Sequence, residues 1–159
     1  MDDPRQRAQD LFARGYQAQM QGDLQEAVRC YTASIALWPT AEAYTFRGWA
    51  YSFQGDYTRA ISECLHAIQL DPDFGNPYND IGAYLIEQGK LGDAVPWLEK
   101  AAQARRYASP CFALFNLGRI YERQHLLLKA QLLYERALVA NAQYVPAQRA
   151  LKRLRAHWN

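Results

Sequence analysis

Cysteine is scarce in this chain: Cys30, Cys64 and Cys111 are an odd number and lie far apart. They outline neither a disulfide framework nor a zinc-ligand spacing. Histidine is as thin, and none of His66, His125 and His157 has a cysteine or carboxylate at metal-ligand distance in sequence. Cys111 opens a helical stretch, where a thiol gains acidity, but has no histidine partner in sequence. There is no glycine-rich phosphate loop and no apolar run long enough to cross a bilayer. The opening residues, MDDPRQRAQD, lack the apolar core of a signal peptide. A net charge of +2 is too small to imply a nucleic-acid partner. These absences disfavour an enzyme and lead to the expectation of a cytoplasmic protein with no catalytic residue, cofactor or metal.

What is present is a repeat. Four 18-residue stretches stack without gaps, at 22–39, 55–72, 89–106 and 125–142. Seven residues before each start lies a glycine or its equivalent register mark: Gly15, Gly48, Gly82 and Gly118, spaced 33, 34 and 36 apart. The unit is therefore 34 residues, with one deletion near Thr40 and a two-residue insertion near Ser109-Pro110. Ala27, Ala60, Ala94 and Ala130 recur where two antiparallel helices must approach closely. Tyr31, Cys64, Leu98 and Tyr134 follow on the same helical face, four residues on. Ser34, Ala67, Ala101 and Ala137 are small again, where the next unit packs. Gly22, Gly55 and Gly89 suit a left-handed turn between the helices, Asp23 and Asp56 suit N-caps, and Pro39 and Pro72 end the second helix.

This pattern resembles the tetratricopeptide repeat, carried best by Tyr44, Gly48, Tyr51, Gly55, Asp56, Tyr57, Ala60, Ala67, Leu70, Asp71 and Pro72. The resemblance covers residues 8–144 and departs from the family at His125, Arg106 and Ala142. It implies an all-α, TPR-type right-handed superhelical solenoid in a single array over 1–159. Repeats fall at about 8–40, 41–74, 75–108 and 111–144, with a capping helix at about 146–158. Ala147, Leu151, Leu154 and Trp158 form one stripe of that cap, so Trp158 is expected in the core.

In this family the first helix of each pair lines a concave groove that takes a peptide or protein segment. Residues projecting there are Phe12 and Tyr16, then Thr45, Trp49 and Phe53, then Asn79, then Phe115, Asn116, Arg119 and Arg123. Aromatic and arginine side chains dominate binding hot spots. Each has a second reading: Phe12 as packing, Asn79, Arg119 and Arg123 as solvated surface. The two-carboxylate clamp of chaperone-binding relatives needs Lys and Asn where Phe12 and Tyr16 stand. It needs Asn at Phe46, and Lys and Arg at Asn76 and Asp80. None of the five matches, which speaks against a clamp co-chaperone.

Two features leave alternatives open. Residues 111–159 carry eight Lys and Arg against two Asp and Glu, which admits single-stranded nucleic-acid binding through the basic end. Leu128 and Leu132 stand where earlier repeats are polar, which admits a weak homo-oligomeric scaffold. The expectation from sequence is a non-enzymatic interaction module, an adaptor or scaffold, that holds a segment of another protein.

Overall fold

The computed structural model describes residues 3–158. Nine helices account for its regular structure among these residues, apart from one isolated bridge between Phe74 and Arg106. They come in pairs: α1 (Pro4–Met20) with α2 (Leu24–Leu37), α3 (Ala41–Phe53) with α4 (Tyr57–Leu70), α5 (Asn76–Glu87) with α6 (Leu91–Gln103), and α7 (Pro110–Arg123) with α8 (Leu127–Ala140). A last helix, α9 (Val145–Ala156), packs on α8. The chain divides into two compact units, residues 1–72 and 73–159, so the boundary falls between the second and third helix pairs.

Each helix begins and ends for a reason visible in its residues. The Asp3, Asp23 and Asp56 carboxylates accept from the backbone N–H of Arg5, Glu26 and Arg59, each at 3.0 Å. The Thr40 hydroxyl accepts from Ala43 N–H at 3.1 Å. These bonds satisfy donors that the first helical turn leaves open. At the other end, Trp38 and Asp71 precede prolines and sit in extended backbone, with φ of −152° and −145°. The turn glycines Gly22, Gly55 and Gly89 adopt φ of 83°, 79° and 76°, and His125 takes the same left-handed turn at 60°. A histidine there carries a steric cost that glycine does not, but the fourth turn closes all the same.

The helix crossings explain the repeated small residues. A Cβ at Gly118 would lie 2.4 Å from the Tyr134 ring, and one at Gly15 would lie 2.8 Å from Tyr31. Tyr31 and Tyr134 are fully buried by that approach, as are Ala27, Ala60, Ala94 and Ala130. In the second pair Cys64 is small, and Gly48 instead meets the Ala60 carbonyl and Glu63. The Glu63 carboxylate is held there by the Arg47 guanidinium in a two-pronged ion pair at 2.7 and 3.0 Å.

The residues that leave α6 for α7 have a structural role. Arg106 N–H donates to the Asp73 carbonyl at 2.9 Å and Gly75 N–H donates to the Arg106 carbonyl at 3.0 Å. That bridge lays Tyr107 on Gly75, where a Cβ would meet the Tyr107 side chain at 2.5 Å. At the chain's end Ala147, Leu151 and Leu154 are buried as their spacing predicts. Trp158 is the correction: it is 48 % exposed, because α9 stops at Ala156 and the helical spacing no longer applies two residues later.

Candidate functional site

In the first unit, α1 and α3 contact one another and present a row of aromatic rings. Phe46 is its hub: its ring centroid lies 5.3 Å from Phe12, 5.7 Å from Tyr16 and 5.9 Å from Trp49. Trp49 continues to Phe53 at 5.3 Å. Most of these pairs are edge-to-face, the arrangement that a ring's charge distribution favours. Burial grades along the row. Phe12 packs on the core residue Tyr31 at 5.6 Å, whereas Tyr16 is 43 % and Phe53 61 % exposed. Beneath the row, the Tyr31 hydroxyl donates to Gln19 Oε1 at 2.8 Å, and the buried Gln19 Nε2 has no partner. Burial pushes the Tyr31 phenol well above its ordinary value, with Tyr16 and Cys30 adding to it.

Thr45 does not join this surface. It is 2 % exposed and its hydroxyl donates to the Ala41 carbonyl at 2.7 Å, a bond within its own helix. Its β-branched side chain fills a packing position that sequence spacing alone assigned to the outer face. Conversely, Phe46 was visible in sequence only as a missing clamp asparagine. Its position three residues before Trp49 and seven, or two helical turns, before Phe53 puts all three on one helical face and is the signal for a larger aromatic cluster.

The second unit carries a polar counterpart on α5 and α7. Asn79 and Asn116 are buried, and Asn116 Nδ2 donates to Asn79 Oδ1 at 3.1 Å. Core packing does explain these two residues, as a satisfied polar pair rather than as solvated surface. Arg119 donates to Asn116 Oδ1 at 3.1 Å and pairs with Glu87 at 3.4 Å. Phe115 is half-buried against Tyr134 at 5.4 Å and edge-on to Tyr144 at 5.5 Å, so its ring is largely packing. Arg123 is exposed.

Next to Asn79 sits Asp80, partly buried and hydrogen-bonded to the Asn79 side chain. Loss of solvent raises its carboxyl to about 7, and the Asn79 bond only partly opposes this. Tyr107 lies close by with a buried hydroxyl that has no hydrogen-bond partner. Burial, and then the neighbouring Asp80 charge, push that phenol upward.

Elsewhere, Leu128 is 77 % and Leu132 57 % exposed on α8, so α9 does not cover them. Arg153 of the basic end is held by Glu122 at 2.8 Å, and Glu122 also accepts from the Tyr134 hydroxyl at 2.6 Å. Cys30, Cys64 and Cys111 are buried thiols, and burial raises Cys111 rather than activating it. Among the described residues no three His, Cys, Asp or Glu side chains gather as metal ligands, and no helix is long and apolar enough to cross a membrane.

The helix pairs and their small crossing residues are matched by known family models. A model described as tetratricopeptide repeat matches residues 12–73, and a second of the same description matches 78–106, together more than half of the chain. The chain is a tetratricopeptide repeat protein. Among curated tetratricopeptide relatives, the small glutamine-rich tetratricopeptide repeat-containing protein 2 of Mycosarcoma maydis is 30 % identical over 103 residues, which is 64 % of this chain and 29 % of that protein. Protein SGT1 homolog of Oryza sativa subsp. japonica is 36 % identical over 93 residues, 58 % of this chain and 25 % of its own length. The chain thus spans under a third of the length of these relatives.

Solved structures agree on the all-α tetratricopeptide fold. Pseudomonas aeruginosa pilF superposes with a TM-score of 0.88 at 18 % identity, over 96 % of this chain and 69 % of that one. The second tetratricopeptide domain of Spaghetti (RPAP3), solved with the HSP90 peptide SRMEEVD, gives a TM-score of 0.59 at 27 % identity, over 64 % of this chain and 94 % of that one. Family and relatives point to protein–protein interaction as the kind of work done.

Proposed function

We propose that this tetratricopeptide protein is a non-enzymatic adaptor that holds a segment of another protein against the faces made by the first helix of each pair. The observation that carries the reading is the outer end of the aromatic row, exposed Tyr16 and Phe53 with half-buried Trp49, packed on Phe46 and Phe12. Rings that are half-exposed yet fixed by their neighbours lose little conformational freedom on binding, which is what makes aromatic anchors effective. A relative solved with a bound peptide supports a segment as the ligand. The acidic-tail clamp has no support in these residues, since Phe12, Tyr16, Phe46, Asn76 and Asp80 occupy its five places.

The test is capture of the natural partner by the purified chain and by its Tyr16→Ala/Phe53→Ala variant. Both residues are exposed, so the variant should keep its helical circular dichroism and its melting temperature. Each lost anchor should cost about 2 kcal/mol, enough to remove capture. Capture that survives the double change at wild-type strength sinks the reading.

A further inference from the structure

Helix α9 carries charge of one sign only. Arg149, Lys152, Arg153 and Arg155 lie on it, and no Asp or Glu follows Glu135 in the sequence. Of these cations only Arg153 has a carboxylate partner among the described residues, Glu122 at 2.8 Å. Like charges three and four residues apart on a helix repel, and a surface that has only to stay solvated mixes both signs. The repeat register sharpens the contrast. α9 packs on α8 as α3 packs on α2 and α7 on α6, so it stands where a first helix stands. In each earlier first helix a glycine, Gly15, Gly48, Gly82 or Gly118, lets the following helix approach closely. The 34-residue unit carries Leu117 to Leu151 and Gly118 to Lys152. Leu151 is buried like Leu117, whereas Lys152 is exposed. A long cation at the crossing position keeps a close-packed helix off and presents an ammonium in its place.

Beside Lys152 lies a depression of about 590 Å³, lined by Leu138 of α8 and by Gln148, Leu151, Lys152, Arg155 and Ala156 of α9. Its apolar floor is fixed, because Leu138 and Leu151 pack in the cluster that holds Tyr134 and Leu154. The Gln148 amide is turned to the Ala142 carbonyl at 2.7 Å. The charged groups left to a ligand are the Lys152 ammonium and the Arg155 guanidinium, three residues apart on one helical face.

We propose that this face of α8 and α9 is a second docking site, for an acidic amphipathic segment of a partner protein. Such a segment sets an apolar side chain on Leu138 and Leu151 and its carboxylates against Lys152 and Arg155. The site is distinct from the aromatic row and stands whether or not that row binds a segment. The aliphatic floor decides the class of partner. A nucleic-acid strand uses cations and stacking rings, and gains nothing from two leucines between the cations. A lipid surface would take the apolar stripe of α9, but Ala147, Leu151 and Leu154 are already buried in the core. Carboxylates flanking one large apolar residue use both features, a small apolar centre and a charged rim.

The experiment selects a displayed random peptide library on the immobilised full chain, then removes every peptide that Lys152→Glu/Arg155→Glu also retains. The surviving peptides are measured by fluorescence anisotropy. They should carry Asp or Glu beside Leu, Ile or Phe, and the charge-reversed chain should bind them about tenfold or more weakly. Exchanging glutamate for glutamine in the peptide, or its apolar residue for alanine, should weaken binding to wild-type chain to a similar degree. Tyr16→Ala/Phe53→Ala should bind these peptides as wild type does. The site is overturned if no peptide separates the two chains, if the survivors tolerate glutamine, or if the aromatic double change also loses them. Displacement of the peptides by a single-stranded oligonucleotide at lower concentration than by free peptide would make nucleic acid the ligand. Self-association of wild-type chain that charge reversal abolishes would make the ligand a second copy. Either result also overturns the proposal. Both substituted residues are exposed, so circular dichroism should not change, and the glutamine comparison needs no protein variant.

Discussion

A single hydrogen in place of a methyl group decides whether Tyr134 can lie flat under α7, and that much is legible in the sequence. The recurrence of Gly15, Gly82 and Gly118 opposite Tyr31, Leu98 and Tyr134 marks these crossings in the sequence itself. What the sequence did not expose was the state of Asp80. Tyr107, whose phenol feels the Asp80 charge, follows Arg106, where the repeat lacks its closing proline and its pattern no longer specifies the path. The consequence for stability has a definite sign. The Asp80 carboxyl is raised to about 7 in the folded chain, above the ordinary value of 3.8. The folded state therefore binds more protons than the unfolded state between those values. Its contribution is full below the unfolded value and is lost as pH rises through about 7. Glu26 works the opposite way: held by Arg29 at about 2, it adds stability that is lost only as pH falls from its ordinary 4.5, outside this window. Urea midpoints measured between pH 5 and pH 8 should fall for wild type and fall distinctly less for Asp80→Asn. Equal slopes for the two proteins would contradict a desolvated carboxylate at this position.

Among the elements, helix limits were the most readable feature. Asp23 and Asp56 cap, and Pro39 and Pro72 stop, as residue chemistry dictates. Faces were less readable than limits. Thr45 lies one residue from Phe46 and four from Trp49, and helical spacing alone does not say which way a short β-branched residue turns once larger rings compete for the surface. The last helix shows both outcomes. Ala150, Leu151 and Leu154 join Ala130 and Tyr134 in one buried cluster, whereas Trp158 lies beyond the helix end and outside it. Leu154→Ala should therefore lower the unfolding free energy by roughly 2–5 kcal/mol, the cost of truncating a fully buried leucine. Trp158→Ala should change it by less than about 0.5 kcal/mol. Chemical denaturation of the two variants beside wild type measures both. A Trp158→Ala loss as large as that of Leu154→Ala would mean the tryptophan packs after all.

For the whole molecule, charge is the property that composition hides. The second unit, residues 73–159, holds 12 Lys and Arg against seven Asp and Glu, while the first holds six against nine. Such an excess invites a nucleic-acid reading, but the disposition of the cations limits it. Arg119 is paired with Glu87 and Arg153 with Glu122. Lys129 lies over the Tyr121 ring at 4.0 Å and Lys100 over Trp97 at 5.1 Å. The rings that could stack with bases, Phe115 and Tyr144, meet edge to face instead of offering an open platform. On α9 this leaves Arg149, Lys152 and Arg155 as exposed cations not held by the Glu122 pair. Three phosphate contacts give a salt slope of roughly −2 for a single strand, so a fourfold rise in salt should weaken oligonucleotide binding only about 15-fold. Filter binding of a single-stranded oligonucleotide from 50 to 200 mM salt reads that slope directly. A slope near −5 or steeper requires about seven neutralised phosphates. It would mean that the paired arginines release their carboxylates to grip a strand, and a nucleic acid would then displace the protein segment as the preferred ligand. A shallow slope with weak binding leaves the excess charge as what a long-range field does best, drawing in a partner that the aromatic row then selects.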